Sequence, residues 1–543
     1  MAVESLPSLQ RGSAATRGGP GRATSPSARC ARPALPEVDA AAASVRAWAI
    51  TEPDLAALAA SGLTLGQAVA RWGMRLVRAN RAADACVALA AALALAPDDA
   101  CLWTQLGVAL DRCGRQAEAE AGLEWSLTLR RDQPDTWILL GLIRVKLGDR
   151  SGAERAYRTA LEQSPSSTAG WQCLALVLEQ QRDYAGAIDA YGRCVALGDA
   201  SAALWANLGR LHYQTARISE ACGAYEAAVR ADPANVHYAH MLAKARFVRD
   251  VRDGAPVDEA LEAYDRAQPA PGSEPALLDL LGAAFGLLST SGHTEAASRI
   301  GRKRLELQPS SASAKYLLKA LAGDPCLDHS PPEYIVETFD AFADTFDAKL
   351  VGVLGYDVPE QLCSLVRSVT AAGDLYDTLD AGCGTGLCGP LLRPFARTLT
   401  GIDLSAKMLE HAARRGVYDA LAQSELTAFL EEAPRRFDLI AAADVLIYFG
   451  DLELFFTAAA RAMRPRGLLA VSTEQLGPAS AAAPGYRALA SGRFAHRPDY
   501  VRARAAACFT LEACVETTLR IDVTERTRGH LFVFRLRGPV GVT

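Results

Sequence analysis

The sequence predicts two parts, an all-α superhelix of paired helices followed by an α/β domain with a mostly parallel sheet. Three observations support this. A tryptophan returns every 34 residues, at Trp103, Trp137, Trp171 and Trp205, a period typical of a repeated two-helix unit. Beyond Pro332, helical spacing gives way to short apolar runs alternating with helices, the pattern of a parallel sheet. The first of those runs ends in glycines at alternate positions, Gly382, Gly384 and Gly386. At 543 residues the chain also exceeds what one core serves, at ~150 residues per domain.

Composition narrows the partners. Lys and Arg number 57 against 62 Asp and Glu, a net charge of −5, so no global basic field exists to hold nucleic acid or an acidic membrane. No apolar run reaches the ~20 residues of a membrane helix. Thirteen cysteines, odd in number and without a CxxC pair, fit reduced thiols and a cytoplasmic location better than a disulfide framework or structural zinc. No metal site is expected.

Residues 1–45 read as a disordered tail. Ser, Ala, Pro, Gly and Arg dominate its opening 36 residues, and its few large apolar side chains cannot offset ordering entropy. An Arg-rich, acid-poor start also occurs in organelle transit peptides. Pro and Gly clusters from Gly18 to Pro26 oppose the amphipathic helix such a peptide forms.

Residues 46–322 read as the repeat array. The third residue after each tryptophan is leucine (Leu106, Leu140, Leu174, Leu208), and a small residue follows (Gly107, Gly141, Ala175, Gly209). Sixteen positions beyond the tryptophans stand Ala119, Ala153, Ala187 and Ala221, and twenty beyond stand Leu123, Tyr157, Tyr191 and Tyr225. Pro97, Pro165 and Pro233 punctuate the ends. Small residues let two antiparallel helices approach, the ring fills the space beside them, and proline stops the second helix. A helix pair cannot bury its apolar face alone, so stacked pairs share a core and leave a concave surface. The tryptophans and tyrosines are therefore expected in the core. The register extends back to Trp72 and forward, irregularly, to Pro309, with an interruption at 244–275 marked by Gly254, Pro256, Pro269 and Pro271. This W-x-x-L-G, alanine, aromatic, proline register resembles the tetratricopeptide repeat over about residues 66–320. The resemblance implies a protein or peptide ligand in the groove, with self-association as the alternative.

The polar, proline-rich stretch 323–332 reads as a linker, and 333–543 as the α/β domain. Strands are expected at 375–379, 397–402, 420–425, 437–443 and 467–473, the third being the faintest. Glycines after the first strand let the backbone turn sharply and pass against a ligand, and Asp403 at the tip of the second can accept hydrogen bonds from both ribose hydroxyls. Asp380, Asp403, Glu425 and Asp444 all end strands, so they should converge on one ligand.

The run D-A-G-C-G-T-G, then G-I-D-L-S, then F-D-L-I-A-A-A-D-V-L-I-Y-F and R-P-R-G-L-L, resembles class I methyltransferases that use S-adenosyl-L-methionine, over about residues 334–540. The resemblance implies a Rossmann-like fold with a seven-stranded, mostly parallel sheet. It places Asp380, Ala381, Gly382, Cys383, Gly384 and Gly386 at the amino-acid part of the cofactor and Asp403 on the ribose. Leu404 would lie on adenine, Glu425 and Leu426 near the adenine amino group, and Asp444 and Val445 under the sulfonium. A nicotinamide dehydrogenase is the competing reading, but its loop is G-x-G-x-x-G. A ring of carboxylates also suits a sulfonium and repels a pyrophosphate.

Similar F-D-x-x-A-x-x-[FY]-D segments fold over the cofactor in many such enzymes, so Tyr334 and Tyr356 are lid candidates; Phe339, Phe342 and Phe346, at helical spacing, read as core. For a base, needed only if the acceptor carries a proton, His496 stands first. Tyr448, Glu474, Arg493 and Tyr500 come next. Val445 to Tyr448 replace the N-P-P-Y of amide- and adenine-methylating relatives, which leaves a small molecule or a protein side chain as acceptor. The alternative function is a repeat scaffold whose cofactor domain has lost turnover.

Overall fold

A computed structural model describes residues 53–61, 63–267, 274–347, 350, 356–371, 373–477, 485–521 and 526–537. The expected tail and Pro269 and Pro271 lie outside them. Two compact units result, one ending at Leu211 and one beginning at His212. The second holds the last repeat helices as well as the sheet.

In the first unit, helices pair at 65–78 with 82–95, 100–112 with 116–129, 134–146 with 150–163, and 168–180 with 184–196. The small residue after each leucine is where the two helices of a pair meet. A Cβ on Gly107 would lie 2.8 Å from Leu123 Cγ, so glycine sets the interhelical distance. Tyr157 and Tyr191 are buried as expected, but of the four tryptophans only Trp103 is fully so. The Trp103 and Trp171 indoles instead donate to Pro97 O and Pro165 O at 2.8 and 2.9 Å. They pin each helix start to the connection before it.

In the second unit the expected interruption is a change of helix length. Val236–Arg252 runs 17 residues and Val257–Arg266 only 10, before the pair Glu274–Thr290 and Thr294–Leu307. Helix Ala312–Ala322 closes the array, ended by Gly323 at φ +68°, a left-handed cap that favours glycine. Residues 328–330, within the expected linker, are held by the sheet domain: Ser330 N donates to Tyr448 O at 2.8 Å and Gly450 N to Asp328 O at 2.7 Å.

Among the described residues the sheet has nine strands rather than seven. They are β1 Tyr376–Ala381, β2 Ala396–Asp403, β3 Ala420–Gln423, β4 Phe437–Ala442, β5 Met463–Gln475, β6 Tyr486–Ala488, β7 Phe494–His496, β8 Phe509–Ile521 and β9 Arg526–Leu536. Strands β3-β2-β1-β4-β5 are parallel, and β9 joins β5 antiparallel with β8 beyond it. The two additional strands form the hairpin β6–β7, which adds to the C-terminal end of β5 through Glu474 and Gln475. At three residues each, they are too short for alternation to reveal. Leu439 and Leu468 face one helical layer, with Leu362 and Val366, while Ile440 and Leu469 face the other, with Phe455 and Ala459. Both faces are thus covered, as parallel sheets require, and the free strand ends form the crevice. No helix among the described residues is long and apolar enough to cross a membrane.

Candidate functional site

A cavity of about 460 Å³ opens at the C-terminal ends of β1, β2, β3 and β4, within the size range of cofactor sites. Its floor is the turn after β1. Cys383 N donates to Ile402 O and Gly386 N to Cys383 O, each at 2.8 Å, which folds the loop back over β2. Gly382 and Gly384 have φ of +67° and +55°. A Cβ on Gly382 would lie 2.5 Å from Val445 Cγ2, whereas one on Gly384 would meet only Phe346 Cε1 at 4.0 Å. The second therefore faces open space, the approach surface that a ligand needs.

Asp403 ties the loop to the second strand. Its Oδ2 accepts Gly384 N–H at 2.9 Å and its Oδ1 accepts Ser405 N–H at 2.9 Å. Burial raises the carboxyl above its ordinary range, opposed by those N–H groups. Glu425 lines the cavity too, but its oxygens cap helix Leu426–Glu431, accepting from Thr427 N at 2.9 Å and Ala428 N at 2.7 Å. Leu404 and Leu426 complete this apolar end.

Beyond β4, Asp444 stands at φ +55°, a strained conformation for a residue with a side chain. Its N–H donates to Ser472 Oγ at 2.7 Å, and that hydroxyl donates back to Asp444 Oδ1 at 3.1 Å. Burial pushes the carboxyl up while Arg520 and Arg493 pull it down. Val445 and Tyr448 also line the wall. Burial raises the Tyr448 phenol, and a hydrogen bond with Arg493 moderates the rise.

Four expected site residues do not reach the cavity. Asp380 is 1% exposed and accepts the Tyr418 hydroxyl at 2.6 Å, with burial raising it to about 7; it supports the glycine turn from behind. Ala381 is a core residue of β1. Gly386, at φ +84°, lets the backbone pass Arg415 and Tyr418, each 3.0 Å from where its Cβ would be. His496, expected as the base, is fully buried in β7. Its Nε2–H donates to Phe449 O at 2.8 Å and Gly450 O at 3.2 Å, and its ring stacks on Tyr500. Burial lowers it to about 4, so it is neutral and braces the turn after β4. Of the secondary candidates, Arg493 lines the cavity, whereas Glu474 is paired with Arg520 at 2.7 Å. Tyr500 bonds to Leu452 N and Asp451.

The segment ahead of the sheet crosses the opening. Phe339 and Phe346 line the cavity edge to face with one another, Phe342 is exposed, and Tyr356 lines it from the far side. Thus the three phenylalanines are not core, because their helix covers a cavity. Asp340 accepts Ser405 Oγ–H and Asp347 pairs with Arg415, each at 2.5 Å, which anchors the segment over helix Ala406–Arg414. Tyr334 is instead buried against Tyr316. Sequence reasoning missed Tyr418, Arg415 and Arg520, which lie outside any motif. Only the spatial proximity of β8 to β5 brings Arg520 here. Among the described residues no group of three or more His, Cys, Asp or Glu could hold a metal ion.

Residues 379–471 match the family described as methyltransferase domain, and residues 138–202 and 174–236 match tetratricopeptide repeat. The chain is similar to ubiquinone biosynthesis O-methyltransferase of Brucella anthropi, 32% identical over 124 residues, 21% of this chain and 49% of that protein. It is also similar to malonyl-[acyl-carrier protein] O-methyltransferase of Hahella chejuensis, 34% identical over 145 residues, 26% and 49% of the two chains. The match thus spans about half the length of these curated relatives. Among solved structures, the N-methyltransferase NodS of Bradyrhizobium japonicum, in complex with S-adenosyl-L-homocysteine, overlaps 37% of this chain and 98% of its own, with 19% identity and a TM-score of 0.30. The chain thus carries a segment that matches tetratricopeptide repeats, followed by one that matches a methyltransferase domain.

Proposed function

We propose that the protein transfers a methyl group from S-adenosyl-L-methionine to an oxygen of a small molecule, with the repeats serving as a surface for a protein or peptide. The observation that carries the reading is the meeting, in one cavity, of an open glycine turn, the Asp403 carboxylate and the Asp444 wall. The residues fit the cofactor. Gly384 leaves room for close approach, Leu404 and Leu426 offer an apolar slot, and the carboxylates suit a cation and not a pyrophosphate. The two O-methyltransferase relatives support oxygen as the accepting atom.

When bound, the cofactor supplies an activated methyl group. The protein's own tasks are to hold the acceptor in line and to exclude water. Gly384 leaves room for the amino-acid part, and Asp403 holds the ribose. Phe339 and Phe346 close the opening against solvent. Tyr448 stays protonated and orients the acceptor as a hydrogen-bond donor, and Asp444 accepts the proton if the acceptor is a hydroxyl, its carboxyl being raised toward the working range by burial. His496 takes no part, being walled off. Incubating the protein with radiolabelled S-adenosyl-L-methionine and a cell extract, then separating by size, tests the reading. Label in small molecules supports it, label in protein redirects it to a macromolecular acceptor, and absence of label refutes transfer.

A further inference from the structure

We propose that Tyr316, on the last repeat helix Ala312–Ala322, is a positioning residue for methyl transfer: its hydroxyl holds the two backbone segments that carry Tyr448 and Arg493 into the cavity. The inference rests on the function proposed above, in which Tyr448 orients the acceptor, and deepens it. Tyr316 is 2% exposed and lines no part of the cavity, whereas Ser330, Tyr448 and Arg493 do. A phenol hydroxyl both donates and accepts hydrogen bonds, and here both capacities are used. It donates to Gly492 O at 2.9 Å and accepts Ser330 Oγ–H at 2.9 Å. Burial pushes the phenol up to about 12, so the donor persists at any working pH.

Both bonds lead to Tyr448. On one side Ser330 N–H donates to Tyr448 O at 2.8 Å, and Asp328 O accepts Gly450 N–H at 2.7 Å and Asp451 N–H at 3.0 Å. Residues 328–330 thereby hold the backbone after β4 as a short bridge, with His329 opposite Phe449. On the other side Gly492 precedes Arg493 in the turn between β6 and β7, closed by Leu489 N–H to Arg493 O at 2.7 Å and Gly492 N–H to Leu489 O at 2.8 Å. The Arg493 side chain in turn hydrogen-bonds the Tyr448 phenol. That turn sits directly on the repeat helix: a Cβ on Gly492, at φ +78°, would lie 2.5 Å from the Tyr334 hydroxyl and 2.8 Å from Leu317 Cδ2. The same helix holds the segment over the opening, through Ser313 Oγ–H to Glu337 and through the Tyr316 and Tyr334 rings, 4.7 Å apart. Phe339 of that segment meets the Tyr448 ring edge to face. Removing the Tyr316 hydroxyl takes its partner from Ser330 Oγ–H and from Gly492 O, both of which then lose a bond in a buried place. The two segments that seat Tyr448 lose their common anchor, and a displacement of ~1 Å at a group that orients the acceptor is costly in rate.

The test uses the full chain, radiolabelled S-adenosyl-L-methionine and, as acceptor, a dilution series of the extract fraction that takes up label. Tyr316→Phe, which keeps the ring, is expected to lower the maximal rate about tenfold or more, while the half-saturating amount of acceptor changes by less than about threefold. Its affinity for S-adenosyl-L-homocysteine, measured calorimetrically, stays within about twofold of the parent. Ser330→Ala breaks one of the two routes and lowers the maximal rate by a smaller factor. The double variant falls no further than Tyr316→Phe alone, because both changes act through one hydroxyl. A merely structural loosening would weaken S-adenosyl-L-homocysteine binding as well and would make the two losses multiply. A Tyr316→Phe protein with the parent's maximal rate, equal losses in rate and in S-adenosyl-L-homocysteine affinity, or losses that multiply in the double variant would overturn the proposal. Should Tyr316→Phe not fold, Ser330→Ala decides alone, and the parent's maximal rate in that variant counts against the proposal. A parent protein that labels no fraction is a different result, which refutes the transfer on which the inference rests.

Discussion

Replacing Gly382 by alanine separates the two demands made on the turn after β1. The backbone there has φ +67°, and the added Cβ would stand 2.5 Å from Val445 Cγ2. Left-handed backbone costs a residue with a side chain about 1–2 kcal/mol, and forcing Val445 aside adds about 1–3 kcal/mol. The loss is then about 2–5 kcal/mol, and 3 kcal/mol corresponds to roughly 6–12 °C in a domain of about 200 residues. The assay is thermal unfolding of the full chain, followed on the transition that S-adenosyl-L-methionine raises. Adding Val445→Ala to Gly382→Ala clears the collision but keeps the backbone strain, so the double variant recovers about 1–3 kcal/mol of the loss. Gly384→Ala provides the contrast. Its φ is +55° but its Cβ has no protein atom nearer than 4.0 Å, so it loses little more than the backbone strain and loses cofactor affinity instead. A Gly382→Ala protein as stable as the parent, or a double variant no better than the single, would refute the described turn.

Burial of the His496 ring lowers it from 6.5 to about 4, so its share of stability is complete above pH 6.5 and disappears as pH falls toward 4, about 3 kcal/mol in all. His496→Gln, which keeps a donor for Phe449 O, should flatten the acid side of the stability profile in denaturant titrations; an unchanged slope would contradict the buried, neutral ring. Asp380 has the opposite sign. Raised from 3.8 to about 7, it favours the native state at low pH and loses that advantage as pH rises through 7. Asp380→Asn should therefore stabilise the protein at pH 8, by up to about 4 kcal/mol, and not at pH 4. Asp444→Asn should lower turnover on a hydroxyl acceptor by about 100-fold or more in a radiolabel assay, and full activity would remove Asp444 as the proton acceptor.

The repeat register was legible because packing dictates it. The small residue after each leucine and the large side chain on the facing helix are geometric necessities, and they recur. The turn Gly382–Gly386 and Asp403 were legible for the same reason, since only certain residue types permit that backbone and that pairing. Burial of side chains could not be read this way. Asp380 ends its strand as Asp403 does, but it turns inward to Tyr418, 38 residues away. His496 follows the fifth strand as a substrate-loop residue would, yet it lies in a three-residue strand that the sequence does not mark. Arg520 belongs to the wall only because β9 returns antiparallel to β5 and carries β8 with it. No local pattern encodes that return.

Calorimetric titration of S-adenosyl-L-methionine into the full-length protein and its Asp403→Ala variant is the most direct test. The parent should bind one equivalent. The variant, lacking the acceptor for Gly384 N–H and Ser405 N–H and the proposed one for the ribose, should bind about 10–100-fold more weakly. A parent protein that takes up no cofactor, or a variant that binds it as tightly as the parent, would contradict the account.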